Sequence, residues 1–185
     1  IPALPLLLAG LFAASPLGAQ RAVPIENDHV RVVVVTDPPN RKGRMHEHSM
    51  NRVMVYLDAG HQQIRWQDGR VDDLKFQPGE PLWSAAGGMH TSENVGGAPY
   101  RIVEIELRRT GRKVRFPAAD PVRAAPQVHR VLMENDQVRV LKASIPHGAR
   151  LARHEQTRPG VLVPRAEYTL RAADSMGRTS TASGK

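Results

Sequence analysis

The stretch Arg44–Met50 reads RMHEHSM and sets His46 and His48 two positions apart, with Glu47 between them. In an extended segment, alternate side chains share a face, so both imidazoles would point one way and Glu47 the other. Two neutral ring nitrogens on one face can reach a single divalent ion at about 2 Å. Two ligands alone make a weak site, and the same pattern occurs on ordinary surfaces. A third donor from elsewhere in the chain has to decide. The chain has no Cys, which removes thiolate nucleophiles, thiolate metal ligands and iron–sulfur clusters. It also has no G-x-S-x-G elbow, P-loop or dinucleotide fingerprint.

The elements that would position these residues are strands. The 185 residues are 41% hydrophobic but only 4% aromatic, and they include 15 Gly and 15 Pro, a mixture that suits a turn-rich β protein. VRVVVVT (30–36) is a continuous apolar run expected to be a strand buried on both faces. RVMVYLDAG (52–60) reads as a second strand closed by a glycine turn. QQIRWQDGRVDDLKF (62–76) reads as a hairpin around Asp68-Gly69. QPGEPLW (77–83) is a turn leading into a short strand, and Gly96-Gly97 separates two more. The last of these alternates Val103, Ile105 and Leu107 against Ile102, Glu104 and Glu106. About eight strands with no amphipathic helix predict a small antiparallel sandwich or barrel.

Two spacings in this frame resemble the paired motifs of the cupin superfamily. In the first, Asn40, His46, His48, Val53 and Gly60 stand where the family has Gly, His, His, Glu and Gly. In the second, GEPLWSAAGGMHTSEN, the residues Gly79, Ala85-Ala86-Gly87, His90 and Asn94 fall at the family's intervals, with Ala85 replacing Pro. The resemblance covers roughly residues 24–115. It implies an all-β, cupin-type double-stranded β-helix (a jelly-roll barrel) and a metal site of His46, His48 and His90. The family's Glu, the fourth ligand in many cupins, is replaced by Val53, or by Arg52 at the shorter spacing. Three neutral histidines without a carboxylate resemble the set used by some cupin-like thiol and diketone dioxygenases. Such a set leaves a dication more of its charge and open positions for water, substrate or dioxygen. The ion is not distinguished among Zn, Mn, Fe, Ni and Cu. Glu104 is weighed as a replacement carboxylate or a partner of a ligand, and a solvated strand position is the favoured reading. Trp66 and Trp83 are candidate pocket walls, with plain core packing favoured for either.

Residues 23–35 and 131–143 share Glu-Asn-Asp-x-Val-Arg-Val at an offset of 108 positions. The same register places His46 on His154, Glu47 on Glu155, Val53 on Val161 and Val55 on Val163. A second, incomplete cupin-like unit is therefore expected over 129–185, after a Pro/Ala linker (116–128) and ending in a disordered tail from Ser175. Gly148 and His154 fit its first motif, but Gln156 replaces the second histidine, which leaves this unit structural or interfacial. His29, His61, His129 and His147 fit neither motif and read as surface or turn residues. Unpaired strand edges in a half-unit would favour a homodimer.

IPALPLLLAGLFAASPLGAQ resembles the apolar and cleavage regions of a secretory signal peptide over 1–19, its basic n-region missing. Export to a periplasmic or extracellular space is expected, with no stable membrane insertion after cleavage. Net charge is +8, but no stacking aromatics are interleaved with the basic clusters, so nucleic acid is not an expected partner. The expected partner is a small molecule. Two readings of function follow: a metal-dependent oxygenase or isomerase, or a non-catalytic ligand-binding or assembly module with a degenerate metal site.

Overall fold

Val32 and Val33 are consecutive in the chain and both fully buried, so the strand that carries them has no solvent face. A computed structural model describes residues 6–7, 20–109, 118–155 and 159–184 and explains why. The strands are β1 (Leu6–Leu7), β2 (Gln20–Glu26), β3 (Val30–Asp37), β4 (Arg52–Tyr56), β5 (Gly60–Trp66), β6 (Val71–Phe76), β7 (Pro81–Ser84), β8 (His90–Asn94) and β9 (Tyr100–Leu107). They are followed by α1 (Pro121–Ala124), β10 (His129–Glu134), β11 (Arg139–Ala143), β12 (Val161–Leu162), β13 (Tyr168–Ala173) and β14 (Thr179–Gly184). The segment expected to be a signal peptide lies outside the described residues except for β1, which pairs in parallel with β12. Gln156 also lies outside them.

Strands β2–β9 form two antiparallel sheets, one ordered β2-β3-β9-β4-β7 and the other β6-β5-β8. Alternation on β4 separates two apolar layers. Met54 and Tyr56 point into the space between the sheets and cluster with Phe76, Tyr100 and Ile102. At this end of the lumen the rings pack directly, Tyr56 on Phe76 with centroids 3.6 Å apart and Phe76 on Tyr100 at 5.0 Å. Gly60 is not the turn expected from sequence. It opens β5, where a Cβ would stand 2.7 Å from the Phe76 ring.

Val53 and Val55 point the other way and join Ile25, Val32 and Val103 on the outer face of the five-stranded sheet. The C-terminal segment covers that face with Met133, Val138, Val140, Val161 and Val163. Each of these five lies 108 positions after a residue of the face itself: Ile25, Val30, Val32, Val53 and Val55. The five covering residues are partly buried, so each contributes a fraction of the roughly 1.5–3 kcal/mol of a fully buried apolar side chain, and together they add a second apolar contact layer.

The shared Glu-Asn-Asp block forms the same turn twice. Asn27 Oδ1 accepts the amides of His29 and Val30 at 2.8 and 3.1 Å between β2 and β3. Asn135 Oδ1 accepts those of Gln137 and Val138, both at 2.9 Å, between β10 and β11. The Pro/Ala stretch is more than a linker. Asp120 caps α1 through the Val122 amide, Pro121 opens the helix, and the Asp120 carboxylate meets Arg139 at 2.9 Å. The C-terminal residues also differ from expectation, because β13 and β14 pair from Tyr168↔Gly184 to Ala173↔Thr179 where a disordered tail is expected. The reason is the tight turn between them, in which Asp174 accepts the amides of Met176 and Arg178.

Candidate metal centre

The chain before the His46-x-His48 pair is laid along the free edge of β8. Asn40 N–H donates to Asn94 O at 2.8 Å and Gly43 N–H to Ser92 O at 2.7 Å. His46 and His90 then exchange both backbone hydrogen bonds, at 2.9 and 2.8 Å. This ladder begins at Asn40, whose φ of 56° makes it the left-handed non-glycine residue among those described. The His46–His48 segment is not the regular strand expected from sequence. Only His46 is bridged, and His48 is held through its carbonyl, which accepts the Gly87 amide at 2.7 Å. Both rings nonetheless turn to the same side, while Glu47 stays exposed.

The three rings converge at the end of the lumen opposite the aromatic cluster. Their centroids are 4.9 Å (His46–His48), 4.6 Å (His46–His90) and 5.4 Å (His48–His90) apart. One ring nitrogen from each lies within 4.8 Å of the others. His46 Nδ1 stands 2.8 Å from the Arg44 carbonyl and His90 Nδ1 stands 2.7 Å from that of Gly88. A carbonyl only accepts, so Nδ1 carries the proton in both rings and Nε2 presents its lone pair. His46 Nε2 is 3.1 Å from His48 Nε2. Ligands at 2.0–2.1 Å from one ion stand about 2.9–3.4 Å apart in octahedral or tetrahedral geometry, so this pair already has the required separation. Burial pushes the His90 pKa down, nearby His46 and Arg52 push it the same way, and the Gly88 carbonyl opposes them. The neutral, ligating form is favoured.

Two facing sheets with both histidine motifs meeting at one end of the lumen decide the fold. This is a cupin-type barrel. Similar solved structures include a cupin domain from Bordetella pertussis Tohama I, 26% identical over 52% of this chain and 100% of that one, with a TM-score of 0.47. A double-stranded β-helix protein from Klebsiella pneumoniae subsp. pneumoniae MGH 78578 is 23% identical over 52% and 82%, with a TM-score of 0.43. A cupin superfamily protein from Desulfitobacterium hafniense DCB-2 is 15% identical over 53% and 84%, also at 0.43. No family model and no curated protein matches the sequence.

The departure from the cupin motif has a structural counterpart. Val53, at the position of the family's Glu, faces the outer core and is 1% exposed, so nothing at that position can reach the histidines. Arg52 occupies the inward position, opposite Glu106 on β9, with Met54 opposite Glu104. Glu104 is not the solvated residue favoured from sequence, because it is 8% exposed. Desolvation raises its pKa, with Arg52 and Arg21 pulling it back down. Glu106 accepts from Arg31 Nη1 at 2.9 Å, and Arg21 stands 3.8 Å away. Sequence reasoning missed this polar layer because alternating Glu on a strand ordinarily marks a wet face. Here the alternate apolar face is covered by the C-terminal unit, and the Glu face lines the lumen. The available signal was Arg52, a charge set in an otherwise apolar strand.

Trp66 forms part of the rim. Its ring centroid is 4.8 Å from that of His90, its Nε1 donates to Asp72, and Arg70 lies over it at 4.2 Å. Gly88 makes this contact possible, since a Cβ there would stand 2.4 Å from the indole. Outside the ring is an open cleft of about 360 Å³ bounded by Trp66, Gln67, Asp68, Gly88 and Met89. Trp83 packs on the outer core instead. The C-terminal unit reaches the site through Asn51, which donates to Gln137 at 2.9 Å and accepts from the Ala86 amide at 2.7 Å. In that unit His154 keeps the backbone contact of His46, its Nδ1 3.1 Å from the Ala152 carbonyl, and its ring faces His129 at 5.8 Å. Among the described residues, both groups of potential metal ligands lie in the first unit.

Proposed function

We propose that the barrel binds a divalent metal ion through His46, His48 and His90 and that this centre holds a small-molecule ligand at the mouth of the lumen. The observation that carries the reading is the pair of rings fixed by Nδ1 to backbone carbonyls, within a trio of histidines whose ligand nitrogens all lie within 4.8 Å of one another. Outer contacts of this kind fix tautomer and aim in metal-binding histidines. When bound, the ion supplies Lewis acidity and open coordination positions. The chain's own residues hold it, set Trp66 at the rim and close the far end of the lumen with Tyr56, Phe76 and Tyr100. In its enzymatic form this is a metal-dependent oxygenase or isomerase. Elemental analysis of the purified chain beside His90→Ala tests the binding step. Near-stoichiometric metal that falls to background in the variant is expected. Background metal in both, after incubation with Zn, Mn, Fe(II), Ni and Cu, refutes it and leaves a ligand-binding module.

The apolar stretch before Arg21 supports an exported protein within the same proposal. Mass spectrometry of the protein from its native cells tests this. A mature N-terminus near Gln20 is expected, whereas a chain that retains the stretch in the cytoplasm refutes it.

A further inference from the structure

We infer that Glu104 supplies a carboxylate ligand to the metal centre, delivered from β9 rather than from β4, where Val53 and Arg52 stand. This rests on the three-histidine reading. His48 belongs to two groups of potential ligands, one with His46 and His90 and the other with Glu104 and Glu106, each with its ligand atoms within 4.8 Å of one another. The two carboxylates differ in what else they do. Glu106 is engaged by Arg31 and Arg21. Glu104 is 8% exposed, and its Oε2 is buried and accepts no hydrogen bond. A buried carboxylate oxygen without a partner is costly, and a cation beside it removes that cost.

Of the two arginines that act on Glu104, Arg21 stands by Glu106 and Arg52 answers Glu104 incompletely. Its Nε and Nη1 are buried and donate no hydrogen bond. A guanidinium that existed to pair with Glu104 would use its fork on the carboxylate. The arrangement instead balances charge within the lumen while leaving Oε2 without a hydrogen bond on a carboxylate that lies within 4.8 Å of a His48 ring nitrogen. Relative to the cupin motif the carboxylate has moved one strand across the ladder, and an arginine fills the inward place beside the position it left.

Cobalt(II) loading separates a ligand from a counter-ion, because its visible d–d absorption reports the donor set independently of any activity. Affinity is read by chelator competition for the full chain, Glu104→Gln, Glu104→Asp, Glu106→Gln and the double variant Arg52→Gln/Glu104→Gln. The double variant removes both charges, so the lumen stays balanced if the single variant fails to fold. Glu104→Gln and the double variant should lose roughly 10- to 100-fold in affinity and change the spectrum. Glu104→Asp keeps the charge but withdraws the oxygen, and should also weaken binding; Glu106→Gln should leave affinity and spectrum as they are. Parent-like affinity and spectrum in Glu104→Gln, or in the double variant, overturn the inference. A parent chain that binds no cobalt overturns the three-histidine reading, and this inference with it.

Discussion

The β2–β3 and β10–β11 hairpins share a turn and a sequence block, yet only the first becomes part of a barrel. Both turns are closed by an Asn side chain on two backbone amides. Both first motifs begin in a left-handed residue, Asn40 at φ 56° and Gly148 at φ 72°. Both fix the first histidine against the carbonyl two residues earlier. What differs is the surroundings. β3 is paired on both sides, whereas among the described residues β10 and β11 pair only with each other. Local chemistry is thus enough to make the turn and orient one ring. A centre needs the long-range ladder that brings His90 opposite His46.

That comparison can be broken most forcefully at the histidines. His46→Ala should abolish metal retention, whereas His154→Ala should leave it at the parent level, as read by elemental analysis. Loss in both would mean that the second unit shares the centre. The two apolar faces come next. Val32→Ala, in a fully buried position, should cost about 2–3 kcal/mol in urea unfolding, against about 1 kcal/mol for its half-buried counterpart Val140→Ala. Equal costs would show that the C-terminal unit is as tightly integrated as the barrel. The paired turns sharpen the contrast further. Asn27→Ala should cost about 1 kcal/mol of global stability. Asn135→Ala should mainly speed amide exchange within β10–β11, because a two-stranded ribbon can open by itself.

The smallest effect lies at the barrel corner. Arg101 donates to Asp58 through Nε and Nη2, both at 2.8 Å, and these bonds hold the Asp58 carboxyl below the usual carboxylate range. Its contribution to stability is complete above that range and fades as pH falls through the depressed folded-state value. Arg101→Gln should move the Asp58 titration upward in carboxyl-carbon NMR. An unmoved midpoint would remove Arg101 as the cause.

The barrel was legible in the sequence wherever a residue's own chemistry dictates its setting. The Asp68-Gly69 hairpin, the doubly buried 30–36 strand and the two histidine spacings all read directly, since turn propensity, periodicity and ligand type are local properties. Glu104 was misread because its setting depends on what covers the opposite face of β9, which lies a whole unit away in the chain. The same distance hid the packing of α1, whose Asp120 acquires its meaning only when Arg139 meets it. The paired C-terminal strands were missed for another reason. Their small polar residues contribute little hydrophobic signal, and the pairing is carried by backbone and by the turn at Asp174.

The packed rings of Tyr56, Phe76 and Tyr100 fill the end of the lumen opposite the three histidines. With that end filled, the cleft beside Trp66 is the approach to the histidines that the proposed centre would use. In the proposed centre an ion would arrive before the small molecule that rests on it, and would be drawn out only after that molecule had gone. A chelator should therefore strip the protein slowly while its ligand is in place and quickly once the ligand has gone, which makes the rate of metal extraction a gauge of what the barrel prefers to hold.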